Sequence, residues 1–309
     1  MRGHAYRQGR KKRRAAGRAR KRRHTRKIPE FVGFLLPGLV GVCLFYLLPF
    51  METVRRSFIQ SASGRFTGIQ NYREVLKNQA FYLAVKNTGV FIGAGVPVLM
   101  LLSFAAALLL RRALASRKLM AAMLLPMAVP AAVMVLIRQL LTDRLGLWNG
   151  LISGLSNYLP FLPSESHTDY MNSKWAVLII LLSFWWKNTG YMTVLWLTGL
   201  AALPRELEEA ASVDGAGKGK RLLYIIIPQL AGSFFVIFLL SMLQAFKSYR
   251  EIWMAAGNYP QKNIYLLQHL LQNWYLKLEF DKMAALTVML FLVLLFLCFF
   301  LQKRLEGNS

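Results

Sequence analysis

Two stretches of this chain hold most of the residues that could do chemistry. The first, FWWKNTGYM, sets Trp185, Trp186, Lys187 and Asn188 side by side inside an apolar run. Aromatic faces against C–H patches, with a few polar groups fixing hydroxyls, are a pairing that holds sugars. An ionisable group at membrane depth usually faces a cavity or pathway. A second reading sends Lys187 to the membrane interface along its stem and puts the tryptophans in an aromatic belt. The two readings stand level. The second stretch, RELEEAASVDGAGKGKR from Arg205 to Arg221, is acidic and alanine-rich, turns on a glycine and becomes basic. Its glycines and Lys220 suggest a phosphate loop. Arg221, however, stands where that motif needs Ser or Thr, Asp214 stands where it needs its first glycine, and no strand precedes them. His167 and His269 are isolated, have no ligand spacing and read as solvated surface. Cys43 and Cys298, the only cysteines, each lie in an apolar run and form neither a disulfide framework nor a metal-ligand cluster.

The elements that must position these residues are set by apolarity. The 309 residues are 55% hydrophobic and only 17% charged, a profile of lipid-embedded chains. The formal charge of +25 suggests nucleic acid, but 14 of the 39 Lys and Arg fall in the first 27 residues. Residues 1–29 carry no acid and little apolar bulk, so they read as a disordered basic tail. Attraction to anionic lipid accounts for that tail, and without a folded reader it implies no specific nucleic-acid partner. Apolar runs at about 31–50, 88–110, 119–141, 175–197, 225–246 and 284–301 predict six transmembrane helices, an all-α polytopic membrane protein. The first run is too long for a signal-peptide core and has no small-residue cleavage site, so it reads as an uncleaved span. Placing the N-terminus inside the cell assigns 24 Lys and Arg to the cytoplasmic side against 13 outside, so both termini are expected in the cytoplasm.

Between the fourth and fifth runs, Pro204 suits a helix start, and acids in the first turn favour the helix dipole. Asp214 and Gly215 end that helix, the glycine supplying a left-handed conformation. A second helix is expected from near Ala216 into the fifth span past Pro228. The result is a cytoplasmic helix-turn-helix.

Here the sequence resembles a known family. EAASVDGA from Glu209 to Ala216, with Pro228 in IIIP twelve residues on, is similar to the EAA loop of ATP-binding-cassette importer permeases of the carbohydrate-uptake type, related to those for maltose and glycerol phosphate. FTGIQNYREVL at 66, AVKNTGVFI at 84, LLPMAVPAAVMVLIRQLL at 124, GLWNGLI at 146 and GLAALPRELEEAA at 199 match in order. The resemblance implies a type I importer permease fold. It divides the chain into a tail at 1–29, a first helix and outer loop at 30–83, a five-helix core at 84–301 with the coupling loop at 204–228, and a cytoplasmic end at 302–309. It also implies that Glu209, Ala210, Ala211, Asp214 and Gly215 dock on a cytoplasmic ATPase, small alanines allowing close approach and carboxylates meeting cations.

The partners implied are a second homologous permease, two ATPase subunits that hold ATP and Mg, and an extracytoplasmic solute-binding protein. No cofactor and no catalytic role fall to this chain. By resemblance, substrate-facing positions fall on Met127, Ala131, Ser241, Ala245 and Ser248, with Gln244 nearby. Met127 reads better as packing, and Gln244 as readily bonds a neighbouring helix. Arg138 and Gln139 line the outer mouth or snorkel. Two departures stand out: Gly217 and Gly219 replace larger residues, and Met127 and Ala131 are apolar where relatives hydrogen-bond. A solute other than a sugar, such as a phosphodiester or an oligopeptide-like compound, therefore stays open.

Overall fold

The computed structural model describes residues 32–33, 35–112, 117–156, 158 and 168–306. Among these, every named element is helical, and extended pairing is limited to one bridge between Ile59 and Phe66. The expected tail at 1–29 lies outside the described residues, as does His167.

Helix α1 (Leu35–Ser57) is a long apolar rod that packs along α13 (Phe280–Glu306), with the rings of Phe50 and Phe291 4.5 Å apart. A π-helical turn at Cys43–Leu47 runs up to Pro49. A proline ring collides with the carbonyl four residues back, here that of Phe45, and the wider turn makes room for it. The same device recurs at Leu222–Ile226 ahead of Pro228. There it delays the fifth span, expected from 225. After the short turn Ile227–Gln229 the long helix runs instead as α10 (Ala231–Lys247) and α11 (Tyr249–Ala256).

The third expected span, 119–141, is not straight. It splits into α4 (Arg117–Ala128) and α5 (Ala131–Thr142), and the stretch Ala131–Ser156 that α5 opens is bent by 87° from α4. Val129 precedes Pro130 and is thereby steered out of the helical region, while Pro130 itself sits extended (φ −58°, ψ 148°) as the N-cap of α5. Each half has 12 residues, about 18 Å of helix, too short to cross a ~30 Å core alone. A further helix, α6 (Leu147–Ser156), follows α5 after a tight turn.

Among the described residues four helices are long and apolar enough to cross a membrane, five if the bent pair is one span. The remaining expected span is α7 (Ala176–Ala201), 26 unbroken residues with a polar middle. It is the centre of the bundle. It packs against α3 (Gln79–Arg112), α4 and α10 around Phe91, Leu99, Phe184, Met192, Trp196 and Ile237. Its crossing with α4 is so close that a Cβ on Gly190 would lie 1.7 Å from the Met123 carbonyl oxygen, so no other residue fits there. A second core, at the other end of α3, joins Val75 of the short helix α2 (Gln70–Lys77) to Phe81, Trp274 of α12 (Leu267–Leu276) and Leu286 of α13. Outward leucines and phenylalanines on α3 and α13 stay exposed, among them Leu101, Leu109, Phe296 and Phe299. That suits a surface solvated by lipid tails, which are as apolar as leucine.

Candidate functional site

The acidic stretch folds into α8 (Arg205–Val213), with Pro204 extended as its N-cap and Glu206 and Glu208 in the first turn. Asp214 is the C-cap. Gly215 follows at φ +79°, and the Ala216 N–H donates to the Ala211 carbonyl (2.9 Å) while the Gly215 N–H donates to that of Ser212 (3.2 Å). This is the Schellman arrangement, in which a residue of left-handed conformation satisfies the orphan carbonyls. A Cβ at Gly215 would touch nothing, so the requirement there is conformational alone. The second helix, α9 (Lys218–Arg221), starts two residues later than expected from Ala216, because Gly217 takes the extended N-cap position. Glycine's low helix propensity favours that late start.

Of the five coupling candidates, Glu209, Ala210, Asp214 and Gly215 are exposed and Ala211 is half-buried. Leu207, Ala210 and Val213 recur at intervals of three on the same open side, with Val213 88% exposed. The other side carries a residue the sequence reading did not single out. Glu208 Oε1 meets Arg111 Nη2 at 2.6 Å, tying α8 to the end of α3. Arg221 Nη1 reaches the Glu208 carbonyl at 3.5 Å. The available signal was helical phase: Glu208 lies one step, ~100°, around from Glu209 and so faces the bundle.

The run Trp185–Asn188 does not form one site, since four consecutive helical residues point four ways. Trp185 donates its indole N–H to the Gly95 carbonyl of α3 at 2.9 Å. Asn188 is buried and bonds back to the Phe184 carbonyl at 2.8 Å. Lys187 is ion-paired with Glu251 of α11, both side chains largely buried. Arg138 of α5 is only 4% exposed, so it does not snorkel to the interface. Its Nη2 donates to the Glu251 backbone carbonyl at 2.9 Å. Arg138, Lys187 and Glu251 thus knit α5, α7 and α11 together. Glu251 went unnoticed in the sequence because it lies far along the chain from both cations.

Trp186 turns outward and lines a cavity of about 460 Å³ between α5, α6 and α7, together with Arg138, Thr142, Trp148, Tyr170 and Trp175. The α10 stripe lies elsewhere. Ser241 is fully buried with its hydroxyl unpartnered, Ala245 is buried, and Ser248, half-buried, donates to the Gln244 carbonyl at 3.1 Å. Gln244, Met127, Ala131 and Gln139 are half-buried.

His269 is not solvated surface but completely buried on α12. Its Nδ1 accepts the Leu266 N–H at 3.1 Å, and its ring packs against Tyr249 and Tyr265. Burial pushes its pKa down to about 4, so the ring is neutral at pH 7. Among the described residues, no group of three His, Cys, Asp or Glu side chains is placed to hold a metal ion.

The family model for the binding-protein-dependent transport system inner membrane component matches residues 99–307. The trehalose/maltose transport system permease protein MalF of Thermococcus litoralis is 29% identical over 267 residues, covering 84% of this chain and 88% of the relative. The sn-glycerol-3-phosphate transport system permease protein UgpA of Yersinia pseudotuberculosis is 27% identical over 272 residues, covering 84% and 89%. The crystal structure of a bacterial ABC transporter involved in the import of the acidic polysaccharide alginate aligns with a TM-score of 0.76 over 93% of this chain and 99% of that one. At 15% identity it shows the shared fold. A second alginate ABC transporter structure, in complex with a pentasaccharide-bound periplasmic protein, aligns at a TM-score of 0.68, 17% identity, over 90% and 94%.

Proposed function

The chain belongs to the binding-protein-dependent transport system inner membrane components, sugar ABC permeases among its relatives, and from that premise we propose that it is the permease subunit of an ATP-driven carbohydrate importer. It forms half of a translocation pathway with a second homologous permease. ATP and Mg are held by two cytoplasmic ATPase subunits, and an extracytoplasmic solute-binding protein delivers the solute. Both termini lie in the cytoplasm, and no catalysis falls to this chain.

The observation that carries this reading is the exposed elbow at α8. Its outer side offers small and apolar residues flanked by the carboxylates of Glu206 and Glu209, a face suited to a groove with cationic rims. Its inner side is fastened to α3 through Glu208 and Arg111. Displacement of α8 is therefore passed to α3 directly, to α7 through the short link at Ala202–Pro204, and to α10 through α9. These three helices surround one core, and close-packed interiors transmit strain rather than absorb it. Nucleotide-driven closure of the ATPases thereby moves the spans as levers.

The test is reconstitution of the complete importer in proteoliposomes. Saccharide uptake is expected only with ATP and both ATPase subunits, and a cysteine at Ala210 is expected to cross-link to an ATPase. Uptake by the permeases alone, or a cross-link found only to the solute-binding protein, would overturn the assignment.

A further inference from the structure

The cavity between α5, α6 and α7 has a size typical of small-molecule sites, about 460 Å³. Trp148, Trp175 and Trp186 stand around it about half exposed, at 50%, 48% and 52%. The hydroxyls of Thr142 and Ser183 also line it. Both already donate to backbone carbonyls, Thr142 to Arg138 at 2.8 Å and Ser183 to Ile179 at 2.9 Å, so what they offer a ligand is acceptor lone pairs.

The charge beside this cavity is unbalanced. Arg138 lines it and is 4% exposed, yet its Nε has no hydrogen-bond partner. Glu251 offers Arg138 a backbone carbonyl while its carboxylate is taken by Lys187. Two cations therefore share one carboxylate among the described residues of the cluster. A buried charge lacking its counter-ion is expensive, and the arrangement favours an arriving anion. Apart from Thr142, Ser183 and Tyr170 the remaining described lining residues are apolar, and among them there is no second cation to meet a phosphate dianion. A single guanidinium edge instead matches a planar carboxylate.

We propose that this cavity binds the carboxylate of an acidic saccharide, a uronate, at Arg138, with the tryptophans stacking on the pyranose C–H faces. The inference rests on the carbohydrate-importer reading and narrows its substrate class. The saccharide's hydroxyls donate to Thr142 and Ser183, which a fatty acid, the other carboxylate with an apolar body, would leave unused.

The experiment uses the assembled importer, with its ATPase subunits but without the solute-binding protein, in nanodiscs of zwitterionic lipid. A uronate disaccharide and the neutral disaccharide of the same linkage are titrated by calorimetry and tryptophan fluorescence. The uronate is expected to bind about tenfold or more tightly than the neutral sugar, as a charge-assisted contact requires. Arg138→Gln is expected to bring that ratio close to one, and Arg138→Lys to keep part of it. Trp186→Ala, at a half-exposed position that tolerates truncation, is expected to weaken both sugars alike. Equal affinities in the wild type, a preference that survives Arg138→Gln, or displacement of the uronate by a long-chain fatty acid at equal concentration would each overturn the proposal. Uptake of neutral sugars by the complete system without uronate binding would sink this inference alone. Failure to take up any saccharide would sink the importer reading beneath it.

Discussion

The elbow at 204–217 and the charged cluster at Arg138, Lys187 and Glu251 are both polar features of an apolar chain, held in opposite ways. In the elbow the bonds that shape the turn join near neighbours, such as Ala216 to Ala211, and most of the coupling side chains are open to the surroundings, the Glu208–Arg111 tie to α3 being the long-range exception. In the cluster the partners lie 64 and 113 positions apart and are largely buried. The elbow should therefore fail locally, leaving the bundle standing, whereas the cluster should fail globally.

The largest expected effect is in the cluster. Glu251→Ala leaves Lys187 and Arg138 without a carboxylate, which costs about 3–5 kcal/mol when a buried pair loses one partner. The thermal midpoint of the purified protein should collapse, and Lys187→Met in the same chain should restore part of it. An unchanged midpoint in the single variant would show that the ion pair holds nothing. Next comes Gly190→Ala, whose new methyl group forces α7 away from the Met123 carbonyl. Overpacking of this kind costs about 1–3 kcal/mol, and the same melting assay should register it. A wild-type midpoint would mean that the two helices part freely.

Gly215→Val moves to the other side of the comparison. Holding a β-branched residue at positive φ costs about 1–2 kcal/mol, confined to the turn. ATPase co-purification and uptake should fall while the midpoint moves less than in Gly190→Ala, because an exposed turn relieves its strain by opening locally. A fall in the midpoint as large as that of Gly190→Ala would erase the distinction between the two regions. Smallest is Glu208→Gln. The Arg111–Glu208 pair is still 25–30% exposed, so its loss is worth about 1 kcal/mol at most. Saccharide-stimulated ATPase activity should uncouple from uptake, and the exchanged pair Arg111→Glu with Glu208→Arg should recouple them. Recovery of uptake by Arg111→Glu alone would remove Glu208 from the coupling path.

The expectations that held depend on short-range rules. Apolar runs long enough to cross lipid become helices because backbone groups there have no other partners, and Gly215 ends α8 because it enters the left-handed region without strain. The expectations that needed correction depend on what lies across the bundle. Pro130 breaks the third span although its neighbours are as apolar as those of any straight helix. The buried site of His269 is created by Tyr249 and Tyr265, from other parts of the chain. Lys187 read equally well as a pathway residue or a snorkelling one, and its pairing with Glu251 was not legible, because that partner comes from α11, 64 positions along the chain.

By itself the amino-acid sequence determined the helical class, the membrane setting, the family and the place and shape of the elbow. Each of these follows from the length of an apolar run, a proline, a glycine or a contiguous motif. Tertiary structure alone decided which consecutive residues of α7 separate, which charges meet, and which of them borders a cavity. Those outcomes depend on the rotation of each helix about its axis, and that rotation is set by packing against neighbours distant in the chain.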